Sequence, residues 1–152
     1  MIFLKDMFSN QLIISAIASW FAAQLLKTII YLFITKKVVL ERMIGSGGMP
    51  SSHSASVCAL LTAVGFGYGA TGFEFAMALV FACIVMYDAV GVRWETGTQS
   101  RIINEMIELF DKLGQNLSVE EKLKEFVGHT PLQVLAGAIL GTGVGIIVCN
   151  LM

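Results

Sequence analysis

Charge is in short supply in this chain. Of its 152 residues only 14% are Asp, Glu, Lys or Arg, against 56% hydrophobic, and the mean hydropathy is +0.77. That balance excludes an ordinary soluble globule. The net charge of −1 says nothing about partners, and nucleic acid is not expected among them. Cysteine is sparse and unpatterned: Cys58, Cys83 and Cys149 all lie within apolar stretches. This argues against a disulfide framework or a zinc site and leaves them as small packing residues. The first apolar stretch has no small-residue cleavage site after it, which excludes a signal peptide. No repeat, low-complexity tract or composition shift divides residues 1–152, so they form a single integral-membrane domain.

What the chain has in abundance is apolar runs. A membrane-crossing helix needs roughly 20 mainly apolar residues. Four segments approach that length, about Leu12–Phe33, Ser54–Tyr68, Phe73–Val92 and Leu132–Leu151, the second being the shortest. The expected fold is therefore all-α, a polytopic helix bundle with about four transmembrane helices. Lys36, Lys37 and Arg42 follow the first segment, and Arg93, Arg101, Lys112, Lys122 and Lys124 lie between the third and fourth. Under the positive-inside rule both basic loops are cytoplasmic and both termini lie outside.

Between Thr96 and Lys124 runs the one long polar region. Ile102, Ile103, Met106, Ile107, Phe110 and Leu113 fall on one helical face there, which predicts an amphipathic helix at the membrane surface. Ser118 with Glu121, Thr71 with Glu74, and Thr130 with Gln133 each have capping-box spacing. Gly137, Gly141 and Gly145 recur every four residues, a spacing that lets membrane helices approach closely. That glycine face is the expected contact of a possible homodimer.

Histidine and proline are as rare as any residue in the chain, and they occur together. Pro50 and His53 stand in Gly47-Gly48-Met49-Pro50-Ser51-Ser52-His53-Ser54-Ala55, and His129 and Pro131 in Gly128-His129-Thr130-Pro131. Each pair opens an apolar segment, where a helix N-terminus offers backbone N–H groups to an anion. An acid/base or nucleophile pair at such sites suits phosphoryl chemistry at a membrane surface. In the first segment Gln24, Lys27, Tyr31 and Thr35 share one helical face, so Lys27 either snorkels or lines a polar interior. Asp88 lies within the end of the third segment, with Arg93 just beyond it. An acid at that depth is either a site residue or half of an ion pair with Arg93 or Lys27.

These motifs resemble a known family. Pro50-Ser51-Ser52-His53 is similar to the Pro-Ser-Gly-His motif of the type-2 phosphatidic acid phosphatase and vanadium haloperoxidase superfamily. His129 with Gln133 and Gly137 resembles that superfamily's last motif, in which His-x-x-x-Asp opens a glycine-containing helix. Together with Tyr87-Asp88-Ala89-Val90-Gly91-Val92-Arg93, the set is similar to a divergent, small membrane branch of that superfamily, and the likeness runs from about Lys27 to Gly141.

The resemblance implies a cofactor-free, metal-independent phosphatase of the bacterial plasma membrane, acting on a lipid phosphate. His129 would take the nucleophile's role and His53 that of the acid for the leaving group. Lys27, Lys36, Arg42 and Arg93 would hold phosphoryl oxygens, with Ser51 and Ser52 lending hydroxyls or amides. The sequence departs from the superfamily in three places. Gln133 replaces the orienting aspartate, Leu123 stands where an arginine is usual, and Lys36 and Arg42 do not reproduce the first motif. Asp88 and Arg93 are expected to compensate from another helix. The alternative is a non-catalytic membrane protein that binds an anion or lipid headgroup on the same scaffold, since helix N-termini hold phosphate without cleaving it.

Overall fold

The computed structural model describes residues 2–36, 48–114, 123 and 128–152. They form six helices: α1 (Ile2–Phe8), α2 (Gln11–Thr35), α3 (Ser52–Tyr68), α4 (Phe73–Val90), α5 (Val92–Lys112) and α6 (Pro131–Leu151). The protein is an all-α, membrane-spanning helix bundle. Three stretches are long and apolar enough to cross a bilayer: α2, the run Phe73–Lys112 that Gly91 divides into α4 and α5, and α6. Leu25, Phe33, Phe81, Ile84, Ile139 and Ile147 are all exposed, as suits helices whose surroundings are hydrocarbon.

The shortest of the apolar helices is the central one. The 17-residue α3 packs against α2, α4 and α6, whereas α2 and α4 do not meet. Its small side chains make this possible, because Ala55, Ala59 and Ala63 are completely buried. On the α6 side the glycines do the same. A Cβ placed on Gly141 would lie 2.1 Å from the Ala55 carbonyl oxygen, and one on Gly137 would lie 2.3 Å from that of Ser51. The glycine face is thus consumed within the chain against α3, which corrects its assignment as a contact between copies. On the α4 side Val57 and Cys58 pack with Ala82, Val85 and Met86 in a small apolar core.

Local signals explain most of the helix ends. Asn10 caps α2 by accepting from the Leu12 and Ile13 amides. Thr130 and Gln133 form the expected capping box, with Pro131 in the first turn of α6. The Thr71–Glu74 box does not form: Gly72 is the N-cap of α4 and no side chain caps it. Helix α5 starts at Val92, four residues ahead of the expected polar region. Its residues Ile102, Ile103 and Met106, and Leu113 at its C-cap, are exposed, while Gly97, Ser100 and Asn104 on another face are buried. The Asn104 side chain both donates to the Leu123 carbonyl and accepts from the Leu123 amide, which fastens the returning chain to α5. The Ser118–Glu121 box lies outside the described residues.

Candidate functional site

Two backbone hydrogen bonds bring the histidine motifs together. The Ser51 amide donates to the Gln133 carbonyl at 3.0 Å, and the His129 amide donates to the Ala89 carbonyl at 3.0 Å. The N-terminal ends of α3 and α6 and the C-terminal end of α4 therefore meet at one end of the bundle. Gly128 makes the last approach possible. Its φ is +89°, and a Cβ there would lie 2.4 Å from the Trp94 nitrogen. Only glycine fits that backbone conformation in that space.

The rings of His53 and His129 face each other edge to face, with centroids 6.0 Å apart. His129 is 1% exposed. Its Nδ1 lies 3.2 Å from Gln133 Oε1, and the same oxygen accepts from the Thr130 amide at 3.2 Å. An amide N–H can donate only to the oxygen of the glutamine side chain, so the Thr130 contact fixes which way the carboxamide points. With an acceptor set against Nδ1, the neutral ring can carry its proton there, the tautomer in which Nε2 is the basic nitrogen. Gln133 thus caps the helix and orients the histidine at once.

Burial holds the His129 imidazole below the ordinary histidine range. The hydrogen bond to Gln133 and one with the Gly48 backbone favour the charged form, and the Lys27 and His53 charges oppose it, but burial dominates.

Lys27 is 4% exposed, so its ammonium does not snorkel freely to the surface. Gly48 lies along its stem, 3.4 Å from the Lys27 Cγ and Cδ at the point where a Cβ would sit. Lys27 acts electrostatically on both histidine rings. At ~1.5 Å per helical residue it lies about 12 Å below the end of α2 at Thr35, so the histidine site is recessed. Its neighbour on the stripe, Gln24, is buried too, while Tyr31 and Thr35 are only partly covered.

Asp88 is paired. Its Oδ2 accepts from Arg93 Nε at 2.5 Å across the Gly91 break, with side-chain exposures of 40% and 47%. Both charges act on His53, and His129 has Gln133 as its own partner instead. Ser51 is fully buried and caps α3. Its Oγ accepts from the Ser54 amide and from the Ser54 hydroxyl. That leaves the Ser52 and His53 amides in the first turn of α3 without intrahelical acceptors, an arrangement suited to anion binding. In α6 the first turn has less to offer, because Pro131 has no N–H and the Gln133 amide is committed to Thr130. Lys36 is exposed at the C-cap of α2, with no described contact to either ring. Arg42 lies outside the described residues. Among the described residues no group of three or more His, Cys, Asp or Glu side chains is placed to hold a metal ion.

Sequence reasoning did not single out Gly48, the Ala89 carbonyl, or Ser54. Gly48 and Gly128 were findable as glycines next to the histidine motifs, whereas a backbone carbonyl has no sequence signal.

Residues 8–144 match the profile of a family described as the divergent PAP2 family. An uncharacterized membrane protein of Bacillus subtilis (strain 168), YuiD, is 34% identical over 145 residues, covering 90% of this chain and 92% of that protein. No solved structure matches.

Proposed function

The chain belongs to the divergent PAP2 family, and from that premise we propose that it is an integral-membrane lipid phosphatase that cleaves a phosphomonoester through a phosphohistidine. The observation that carries this reading is the buried His129, whose Nδ1 faces Gln133 on a ring 6.0 Å from that of His53. His129 Nε2 attacks phosphorus, and His53 protonates the departing alkoxide. Lys27, the Ser52 and His53 amides and Arg93 stabilise the phosphoryl oxygens as charge builds on them. Splitting hydrolysis into two displacements lowers each barrier. Asp88 holds Arg93 in place beside His53, and Lys36 and Arg42 attract the anionic headgroup at the rim.

The substrate is a phosphatidic acid, phosphatidylglycerol phosphate or isoprenoid phosphate. A recessed polar mouth among apolar helices accepts a headgroup while the chains stay in lipid. Helix α3 provides a fourth crossing, which puts both histidine motifs on the cytoplasmic face. Helix α5 rests its exposed Ile102, Met106 and Leu113 on the bilayer surface there.

The test is phosphate release from a panel of lipid phosphates by purified protein in chelator. His129→Ala abolishes turnover and the trapped phosphoenzyme. His53→Ala slows ordinary esters and regains much of its rate on an aryl phosphate, whose leaving group needs no proton. Wild-type protein that binds these lipids without releasing phosphate would establish a binding scaffold instead.

A further inference from the structure

Helix α2 buries four polar side chains along its length. Ser15 and Ser19 are completely buried, and Gln24 and Lys27 are each 4% exposed. Ser15, Ser19 and Lys27 lie along one slowly winding stripe of α2, at steps of four and eight residues, and Gln24 lies about 60° round the helix from Lys27. Ser15 Oγ, Ser19 Oγ and Gln24 Oε1 are buried without a hydrogen-bond partner among the described residues, and so is Nδ1 of His53. A serine within an apolar helix usually satisfies itself on the carbonyl four residues back, as Thr28, Thr35, Ser56 and Thr62 do here. Ser15 and Ser19 do not. The helices that α2 packs against, α3 and α6, bury mainly small side chains, among them Ala55, Ala59 and Ala63 on α3 and Gly137, Gly141 and Gly145 on α6, which carry no side-chain acceptor.

Orphaned buried polar groups are costly, and in native proteins ordered water usually meets them. Between Ser15 and Lys27 the helix rises about 18 Å, at ~1.5 Å per residue. Ser15 and Ser19, about 6 Å apart along the axis, are too far apart to bond directly and close enough for one or two waters to bridge.

We propose that the buried face of α2 from Ser15 to Gln24 is a water-binding site, a file of ordered water leading to Lys27 and the histidine pair. The role assigned to it rests on the phosphatase reading. A lipid substrate plugs the recessed mouth with its own headgroup, and the second displacement consumes water while the product alcohol is still leaving. The file supplies that water from within the bundle. In that step the water oxygen attacks phosphorus, and the P–N bond to His129 breaks with its electron pair returning to the ring. The water's proton passes to His53, which gave up its own proton in the first step. Inorganic phosphate and a neutral His129 result.

Water-edited solid-state NMR of the labelled protein in phosphatidylcholine bilayers tests the site directly. Magnetisation from water should reach Ser15 and Ser19 as fast as it reaches the exposed Ser9, while Ala59 and Ala63 stay slow. Transfer to the two serines as slow as to Ala59 overturns the proposal. Ser19→Val occludes the file. It should keep the first burst of alcohol release while steady-state turnover falls several-fold and phosphoenzyme accumulates. Unchanged steady-state turnover in a Val variant that has lost the water signal overturns the delivery role. If Ser19→Val does not fold, Ser19→Ala decides: removing a water-satisfied hydroxyl lowers the melting temperature, and removing a dry orphan raises it. Wild-type protein that hydrolyses nothing refutes the phosphatase reading, and the NMR result still judges the water site.

Discussion

Gln133→Leu separates the two jobs of one side chain. The glutamine oxygen accepts from the Thr130 amide at the start of α6 and faces His129 Nδ1. Leucine matches the volume and removes both contacts. Losing the cap costs about 1 kcal/mol of stability. Leaving a buried Nδ1–H without a partner costs a further ~1–3 kcal/mol, and the ring can escape that penalty by moving its proton to Nε2. That tautomer has no lone pair for phosphorus, so the same ~1–3 kcal/mol becomes a loss of about 5- to 150-fold in turnover. Thr130→Ala is the control. It removes the hydroxyl that accepts from the Gln133 amide but leaves Oε1 in place, so it lowers the melting temperature by a similar amount and spares the rate. Phosphate release and thermal unfolding in the same detergent give both numbers, and the 15N shifts of His129 report its tautomer. Gln133→Leu at wild-type turnover, or Thr130→Ala as slow as Gln133→Leu, would refute the orienting role.

The acid limb of turnover should lie below the usual histidine value of 6.5, because burial holds His129 below it. Since the folded state resists the proton that the unfolded chain accepts, His129's contribution to stability is present above 6.5 and lost as pH falls below it. Lys27→Met removes a charge that lowers this value, so a pH–rate profile should show the acid limb moving up, and Gln133→Glu should move it up as well. Gly141→Val drives a side chain into the Ala55 carbonyl and should cost about 3 kcal/mol or more, whereas Gly143→Ala, with open space at its Cβ, should be neutral in a thermal-shift assay. Asp88→Asn breaks a half-exposed pair and should change stability by less than ~1 kcal/mol. Its turnover should fall about tenfold, the equivalent of ~1.4 kcal/mol, as Arg93 loses its anchor beside His53; an unchanged rate removes Asp88 from the mechanism.

The apolar runs and their caps were legible because they are local. Gln11–Thr35, Phe73–Val90 and Pro131–Leu151 differ from the expected segments by only a residue or two at their ends. The histidines were legible because glycine, proline and serine beside them mark helix starts, and Lys27 because its polar neighbour Gln24 lies on the same face. What required the fold was the partner of each feature. Small-residue spacing says that something comes close to Gly141 but not that it is α3. The carboxamide of Gln133 reads as a cap, and only the position of the His129 ring reveals its second contact. Ser15 and Ser19 pass as ordinary small residues in an apolar helix until their burial is known. Gly72 displaced Thr71 as the cap of α4, because an extended glycine there starts the helix without a side chain.

The clamp that seats His129 is almost entirely main chain: its own amide on the Ala89 carbonyl, and the Ser51 amide on that of Gln133. Such ties are blind to side-chain identity, so residues around His129 can be exchanged over generations without moving it. Gly128 is the exception, since any side chain there would meet the Arg93–Trp94 backbone. Drift in this protein is therefore steered: wide latitude on the lipid-facing surface, and almost none at the single glycine on which the histidine turns.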